Sequence, residues 1–381
     1  MVSMSSFHDK GRYKLYKVKI YGAGSIGNHL AHACRTKGWE VLMCDIDQEA
    51  LTRTRDDIYP SRYGAWDTGI RLCSLDQLPD EHFDLVIIGT PPDTHFALAK
   101  TVMETSPPRV LLIEKPLCGP SLDGAQEIVE LQKKTGTFVA VGYNHTLTPN
   151  TDRIAELLAA NIIGQPLTIT ARFREHWGGI FGAHPWLSGP QDTYLGNYER
   201  GGGASGEHSH AMNIWQHFAH LANMGRITAV SASLDMVDDG QTKYDRVCLL
   251  NVRTESGNIG DIAQDVITEP AQKYVRIQGS HGFLEWIANH SAGNDAVRYW
   301  DGAAEIKEEL LPKTRPDDFK GEIEHIANIL DGQSAEGSPI SLERGLDTML
   351  VIAATHMSHQ QQRTVYLDYA KGYRPNAIET H

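Results

Sequence analysis

The run Gly22-Ala23-Gly24-Ser25-Ile26-Gly27 constrains this chain more than any other feature. Val18 and Ile20 alternate with Lys17 and Lys19 into Tyr21 just before it, which reads as a short strand. Ile26, Leu30 and Cys34 then recur every fourth residue with Ala33 beside them, a helical face that Gly38 is placed to end. The Gly-x-Gly-x-x-Gly spacing alone is weak evidence in a chain with 35 glycines. Between a strand and a helix it acquires a mechanism. Gly22 allows the tight turn, Gly24 lets the backbone approach a pyrophosphate, and Gly27 lets the helix pack on the strand. The helix start at Ser25, Ile26 and Gly27 offers unpaired N–H groups and a favourable dipole to phosphates. A second apolar run, Val41 to Cys44, ends at Asp45, where a dinucleotide site needs an acid for the adenosine ribose. Its charge opposes a 2′-phosphate, and Cys44, Ile46 and Asp47 supply no cation, so the cofactor expected is NAD rather than NADP.

Three further near-continuous apolar runs follow, Asp84 to Gly89, Val110 to Ile113 and Phe138 to Val141, separated by helix-like segments. Strands buried on both faces and alternating with helices define a doubly wound parallel sheet, an α/β Rossmann unit. We expect a polar tail over residues 1–15, the dinucleotide-binding domain over 16–148, and a second domain over 149–381 after the polar join around Pro149; 381 residues is ample for two domains. Leu167 to Phe173, Thr228 to Leu234, Arg246 to Val252 and Tyr274 to Ile277 alternate or mix apolar and polar residues, as strands of an open, mostly antiparallel sheet do, making this domain α+β. Ser341 to Gln362 reads as a closing helix. Arg174 to His210 reads as a long irregular functional loop.

The net charge of −13, with no Lys/Arg run to override it, argues against nucleic acid and anionic lipid as partners. Five cysteines without Cys-x-x-Cys spacing argue against a disulfide framework and a structural zinc, and fit a reducing cytosol. No signal-peptide core and no run of about 20 apolar residues is found, so we expect a cytoplasmic protein away from membranes.

Thr90-Pro91-Pro92-Asp93-Thr94-His95 and Glu114-Lys115-Pro116 each follow a buried strand, at the sheet edge where open α/β folds bind ligands. Lys115 is the sharpest residue of the chain. A lysine there is poorly hydrated, which lowers its pKa and suits it to proton transfer or carbonyl polarisation. The plain alternative is a surface lysine paired with Glu114. Around the long loop, Arg172, Arg174, His176, Trp177, His184 and Trp186 combine flat rings with multidentate donors, groups that suit a sugar; equally, Trp177 and Trp186 could only anchor the loop. Glu207, His208 and His210 invite a metal reading, which we discount because i and i+2 face apart on a helix and no further ligands are evident.

These segments, with Val141-Gly-Tyr-Asn144-His-Thr-Leu-Thr-Pro149, occur in the order and at the spacings of the glucose-fructose oxidoreductase, inositol dehydrogenase and rhizopine-catabolism family (Gfo/Idh/MocA), which the chain resembles over nearly its whole length. Gly201-Gly-Gly203 before a histidine-bearing helix, Gly279-Ser-His-Gly282 and Glu322-Ile-Glu-His325 agree. The resemblance implies Lys115 as a catalytic residue at nicotinamide and substrate, and Thr90, Pro91 and His95 near the dinucleotide. It also implies Glu114 near the nicotinamide ribose, Asn144 near nicotinamide or substrate, and His210 as the proton-transfer histidine. It departs in one place. Many members carry Asp-x-Gly-x-His; matching histidines puts Gly206 at the aspartate position, and the acid is missing or has moved to Glu207. One residue of offset turns a helical side chain by about 100°, so Glu207 is expected to face away from the His210 side. His208 is then a candidate substrate contact. The implied activity is NAD-dependent oxidation of a secondary alcohol in a sugar, cyclitol or nucleotide-activated sugar by a homodimer or homotetramer. The alternatives are NAD-dependent glycoside cleavage through transient oxidation and a non-catalytic dinucleotide sensor.

Overall fold

The computed structural model describes residues 14–182, 184 and 186–380, so the expected tail lies outside it up to residue 13. The first unit is a six-stranded sheet. Its strands are β1 (Lys17–Tyr21), β2 (Glu40–Asp45), β3 (Ile70–Ser74), β4 (Leu85–Ile88), β5 (Val110–Ile113) and β6 (Phe138–Val141), arranged β3-β2-β1-β4-β5-β6. Every pair is parallel. The helices α1 (Ser25–Thr36), α2 (Gln48–Arg53), α3 (Tyr59–Tyr63), α4 (His95–Thr105) and α5 (Ala125–Thr135) make the crossovers. Val18, Ile20, Leu85, Ile87, Leu111 and Leu112 are wholly buried, the double burial that continuous apolar runs require. The strand order reverses between β1 and β4. The glycine turn and the segments after β4, β5 and β6 therefore meet at one edge of the sheet, at its topological switch point.

The second unit starts with α6 (Pro149–Ala159) and is built on ten strands. These are β7 (Pro166–Arg174), β8 (Ile227–Asp238), β9 (Lys243–Thr254), β10 (Ile259–Asp265), β11 (Gln272–Gly279), β12 (Phe283–Ser291), β13 (Asn294–Trp300), β14 (Lys307–Pro312), β15 (Val365–Leu367) and β16 (Ile378–Glu379). Their order is β14-β13-β12-β11-β7-β10-β9-β8-β15-β16, and only β7 and β10 pair in parallel. The segment expected to be irregular in fact contains α7 (Trp177–Gly182), several single 3₁₀ turns and α8 (Gly203–Glu207). Then come α9 (His210–Leu221), α10 (Arg315–Leu330) and α11 (Leu342–Gln361). The helices α6, α9 and α11 cover one face of the sheet. On the other face Arg172 and Arg276 pair with Asp261 and Glu285.

The chain passes between the units after β6, but sequence order does not separate them. Helix α10 packs on α1, with Phe319 stacked on His29 at 4.7 Å. Ile323, Ile326, Leu330 and Ile340 share one buried core with Val18, Ile20, Leu30 and Leu85. Val141 N–H donates to the Ile340 carbonyl at 2.8 Å. The unit expected over residues 16–148 is thus completed by residues far downstream. Among the described residues no helix is long and apolar enough to cross a membrane.

Candidate active site

Gly22 has φ +105°, and a Cβ there would lie 2.6 Å from the Gly89 carbonyl oxygen; one on Gly27 would lie 2.1 Å from the Gly22 oxygen. A Cβ on Gly24 would meet nothing within 4 Å. Close packing at the first and third glycines with open space at the second is the cradle a pyrophosphate needs. Gly24 caps α1 without a side-chain bond, so the first N–H groups of the helix stay available to an anion. A cation that sequence reading missed stands there as well: Arg62 donates to Ser25 through its carbonyl at 3.0 Å and its Oγ at 2.8 Å. Asp45 closes the turn, accepting from Ala23 N–H at 2.7 Å and Asp47 N–H at 2.9 Å. The neighbourhood of Asp45 is not free of cations as expected, because Arg53 folds back to Asp47 at 3.2 Å and Glu49 at 3.8 Å, which neutralise it. The residues fit a bound NAD, with the pyrophosphate at Gly24 to Gly27 and the ribose at Asp45.

His95 is fully buried and bridges two of the ligand-edge segments, its Nε2 2.7 Å from the Thr90 carbonyl and its Nδ1 3.2 Å from that of Leu117. Burial pushes its pKa down to about 4, against the opposing pull of the two carbonyls. It braces the site from beneath. Thr90 Oγ1 and Thr94 Oγ1 share a bond of 2.7 Å beside Pro91, and Asn144 is buried just past β6. Glu114 is buried too, and burial raises its pKa to about 7, Lys115 partly offsetting it. Its carboxylate takes the Lys115 backbone N–H at 3.2 Å, while its Oε1 has no partner.

Lys115 does not pair with Glu114. Its Nζ donates to Glu207 twice, to Oε2 at 3.1 Å and to the backbone carbonyl at 3.0 Å. The expectation that Glu207 turns away rested on an unbroken helix, and the helix is broken: α8 ends at Glu207, and α9 restarts at His210 after His208 and Ser209. Glu207 therefore reaches across to the end of β5. Burial alone would raise its carboxyl, but Lys115, with His208 and Lys273 beyond it, holds it below the ordinary range. Ser205, inside α8, is locked by Asp245, which accepts its N–H at 2.7 Å and its hydroxyl at 2.9 Å. Gly203 has φ +79°, and a Cβ there would strike Asp245 Oδ1 at 2.1 Å.

His210 opens α9 with its ring 4.4 Å from His145 and 5.6 Å from Tyr143, and its buried Nδ1 has no hydrogen-bond partner among the described residues. Burial first, then the charges around His145 and Lys115, hold it well below the ordinary histidine pKa. Its surroundings favour the neutral ring. His208 is buried, its Nε2 is unpartnered, and burial with Lys273 nearby lowers its pKa to about 4.

The other expected contacts divide. Arg172 points to the opposite face of the second sheet, where it pairs with Asp261; strand alternation puts it opposite Ala171 and Phe173, which face the helices. His176 accepts the Gly178 N–H at 2.9 Å and so caps α7. Trp177 packs on Phe181 and Tyr244 at 5.5 and 5.7 Å, an anchor. Trp186 instead reaches the first unit, where Arg53 stands 5.7 Å from its ring. Arg200 pairs with Asp93 at 2.8 Å, a second contact with the first unit, at the segment that follows β4.

Residues not foreseen complete the cluster: His145, Tyr194, Lys273 and Glu175. Tyr194 lies near Glu207 and Glu114, and burial raises its phenol well above normal. Lys273 pairs with Glu175 at 2.5 Å. A signal for that pair existed. Lys273 alternates with Val275 and Ile277, and Glu175 with Ala171 and Phe173, on the buried parity of their strands.

With this geometry in place, comparison with known proteins is direct. Residues 16–143 match the model of the oxidoreductase family, NAD-binding Rossmann fold (GFO_IDH_MocA), and residues 151–285 match the GFO/IDH/MocA C-terminal domain. The chain belongs to this family of oxidoreductases, and its cofactor is NAD. An uncharacterized oxidoreductase of Escherichia coli, YdgJ, is 32% identical over 98 residues, which is 26% of each chain. A glycosyl hydrolase family 109 protein of Shewanella pealeana is 23% identical over 330 residues, covering 75% of this chain and 67% of that protein. An oxidoreductase from Agrobacterium radiobacter, solved with NAD+, L-tartaric acid and magnesium, shares the fold at TM-score 0.72 and 19% identity over 93% of this chain and 98% of that one. Levoglucosan dehydrogenase, solved with NADH and levoglucosan, does so at TM-score 0.72 and 15% identity over 93% and 99%.

Proposed function

We propose that this protein is an NAD-dependent dehydrogenase acting on a secondary alcohol of a sugar, cyclitol or nucleotide-activated sugar. The observation that carries the reading is Lys115, which ends a strand of the NAD-binding sheet and is held at 3.1 Å by Glu207, with the neutral His210 close by. Bound NAD supplies the hydride acceptor at nicotinamide C4. The chain supplies the proton chemistry. His210 takes the hydroxyl proton on a ring nitrogen, which its lowered pKa leaves free at neutral pH. The Lys115 ammonium stabilises the oxygen as it gains charge, and Glu207 is the positioning residue that aims it. Asn144, His208 and Tyr194 border the space where the ring would lie.

The test is NADH formation by the purified protein with a panel of sugars, inositols and nucleotide sugars. Lys115→Met and His210→Ala should each lower kcat by at least about 10²-fold while changing the Kd for NAD little, because their interactions matter most as charge develops. Variants that keep nearly full kcat would overturn the assignment. A second reading is favoured by the 23% identical relative named as a glycosyl hydrolase. There the same residues would serve a transient oxidation during glycoside cleavage, and glycoside would be consumed with no net NADH. We also infer a homo-oligomer built through the open face of the ten-stranded sheet.

A further inference from the structure

On β11 the residues facing the helix layer are Lys273, Val275, Ile277 and Gly279, and all but Lys273 are buried apolar or glycine positions. The register pairs Lys273 with Phe173 of β7. Phe173 lies 5.8 Å from the His145 ring, and His145 lies 4.4 Å from His210. The ammonium of Lys273 thus lies on the side of β11 that faces the reacting residues, and its charge is felt at Glu207, His208 and His210. Glu175 comes from the same parity as Phe173, two residues on, where its N–H still donates to the Asp265 carbonyl at 3.1 Å. The two groups meet at 2.5 Å with 17% and 30% of their side chains exposed.

Stability does not explain such a pair. An ion pair drawn partly out of water does on average little better than apolar residues of the same size, and every other inward position of β11 is apolar or glycine. His208 supplies a second, independent sign. It is 3% exposed and its Nε2 has no partner, although a buried ring nitrogen ordinarily has one. Its electrostatic neighbours are Lys273, Glu207, Glu175 and Lys115, so it sits between two lysine–glutamate pairs.

We propose that Lys273 and Glu175 are specificity-determining residues that grip the non-reacting hydroxyls of the substrate, and that the substrate is an uncharged ring with adjacent hydroxyls. The proposal rests on the dehydrogenase reading above. An ammonium has three donors and a carboxylate about four acceptor positions, so a lysine–glutamate pair has donor and acceptor to spare side by side. A pair of neighbouring hydroxyls presents the complement. The charges within the pairs agree: two lysines meet two glutamates, so neither pair has a spare cation for a carboxylate or phosphate on the substrate. Arg315, exposed at the start of α10 with its guanidinium 5.9 Å from the Phe319 ring, belongs to neither pair, although its charge is felt at Glu175 and His145.

The experiment compares steady-state kinetics of the full-length protein on neutral inositols and free hexoses and on the corresponding uronates and aldonates, with NAD binding measured separately. Wild type should turn over the neutral compounds with the higher kcat/KM. Lys273→Met and Glu175→Gln should each raise KM roughly ten- to a hundred-fold with kcat within about threefold and the Kd for NAD unchanged. Because either single change strands a partly buried charge, the double variant Lys273→Met/Glu175→Met, which replaces the pair by apolar groups, keeps the fold and should show the same rise in KM. An unchanged KM in the folded double variant, a loss confined to kcat, or a wild type that prefers the acidic sugars would each overturn the proposal while leaving the dehydrogenase reading intact. No NADH from any compound would remove both.

Discussion

Lys115 and Glu207 are 92 residues apart and share two hydrogen bonds, so neither can be changed without disturbing the other. Glu207→Gln keeps the size of the side chain and one acceptor but removes the charge that aims the ammonium. We expect kcat to fall on the order of ten- to a hundred-fold, with the Kd for NAD held. A kcat within about twofold of wild type would mean that the backbone carbonyl of Glu207 suffices. This contact was not legible in the sequence, because it depends on the interruption of the helix at His208 and Ser209, which no periodicity announces. Lys115 itself was legible, since an adjacent glutamate and lysine straight after four buried apolar residues have few structural reasons to exist. His95 gives a second prediction. With its folded pKa near 4 and an ordinary value of 6.5, the unfolded chain takes up a proton that the folded chain refuses as pH falls through that window. Its contribution to stability is therefore intact above about pH 6.5 and is lost toward pH 4, amounting to about 3 kcal/mol when complete. His95→Gln can still donate to the Thr90 carbonyl but does not titrate. Urea unfolding of both proteins at about pH 7.5 and about pH 4.5 should show the wild type losing about 2 kcal/mol more than the variant. Equal losses would show that His95 is not held neutral.

At the scale of elements, the glycine turn, β2 and Asp45 act as one device. Because both oxygens of Asp45 are fixed by backbone N–H groups, its charge stays at the ribose end and cannot swing aside for a 2′-phosphate. Arg53, the nearby cation, is already neutralised by Asp47 and Glu49. Comparison of kcat/KM should favour NAD over NADP by at least about a hundredfold, and Asp45→Ala should erode that preference. A wild-type preference for NADP would mean that Arg53 leaves its partners on binding. The strands of this unit were readable because β4, β5 and β6 are buried on both faces and so appear as unbroken apolar runs, while β1 alternates Val18 and Ile20 with lysines just before the glycine turn. The strands β12, β13 and β14 were not, since residues such as Glu285, His290, Arg298 and Glu308 face the open side and dilute the pattern. Arg172 was misjudged for a related reason: its side of β7 is fixed by the inward positions of Ile169, Ala171 and Phe173, a parity that places it on the open face.

For the molecule as a whole, the open face of the ten-stranded sheet carries Leu249 and Ile259 among ion pairs such as Arg172 with Asp261 and Arg276 with Glu285. The interface expected there mixes apolar and charged contacts, so light scattering should give at least twice the 42.2 kDa of one chain, with dissociation favoured by high salt. A mass of 42.2 kDa at micromolar concentration would overturn it. The packing of α10 and Ile340 into the core around α1 has a consequence of a different kind. The last strand of the first sheet leaves the ribosome long before the helix that seals that sheet has been made. At about 5 to 20 residues per second, the groove along α1 waits for about 10 to 40 seconds of further synthesis before α10 arrives. For that interval the nascent chain carries an uncovered apolar seam, and the first sheet is sealed only once α10 has been made.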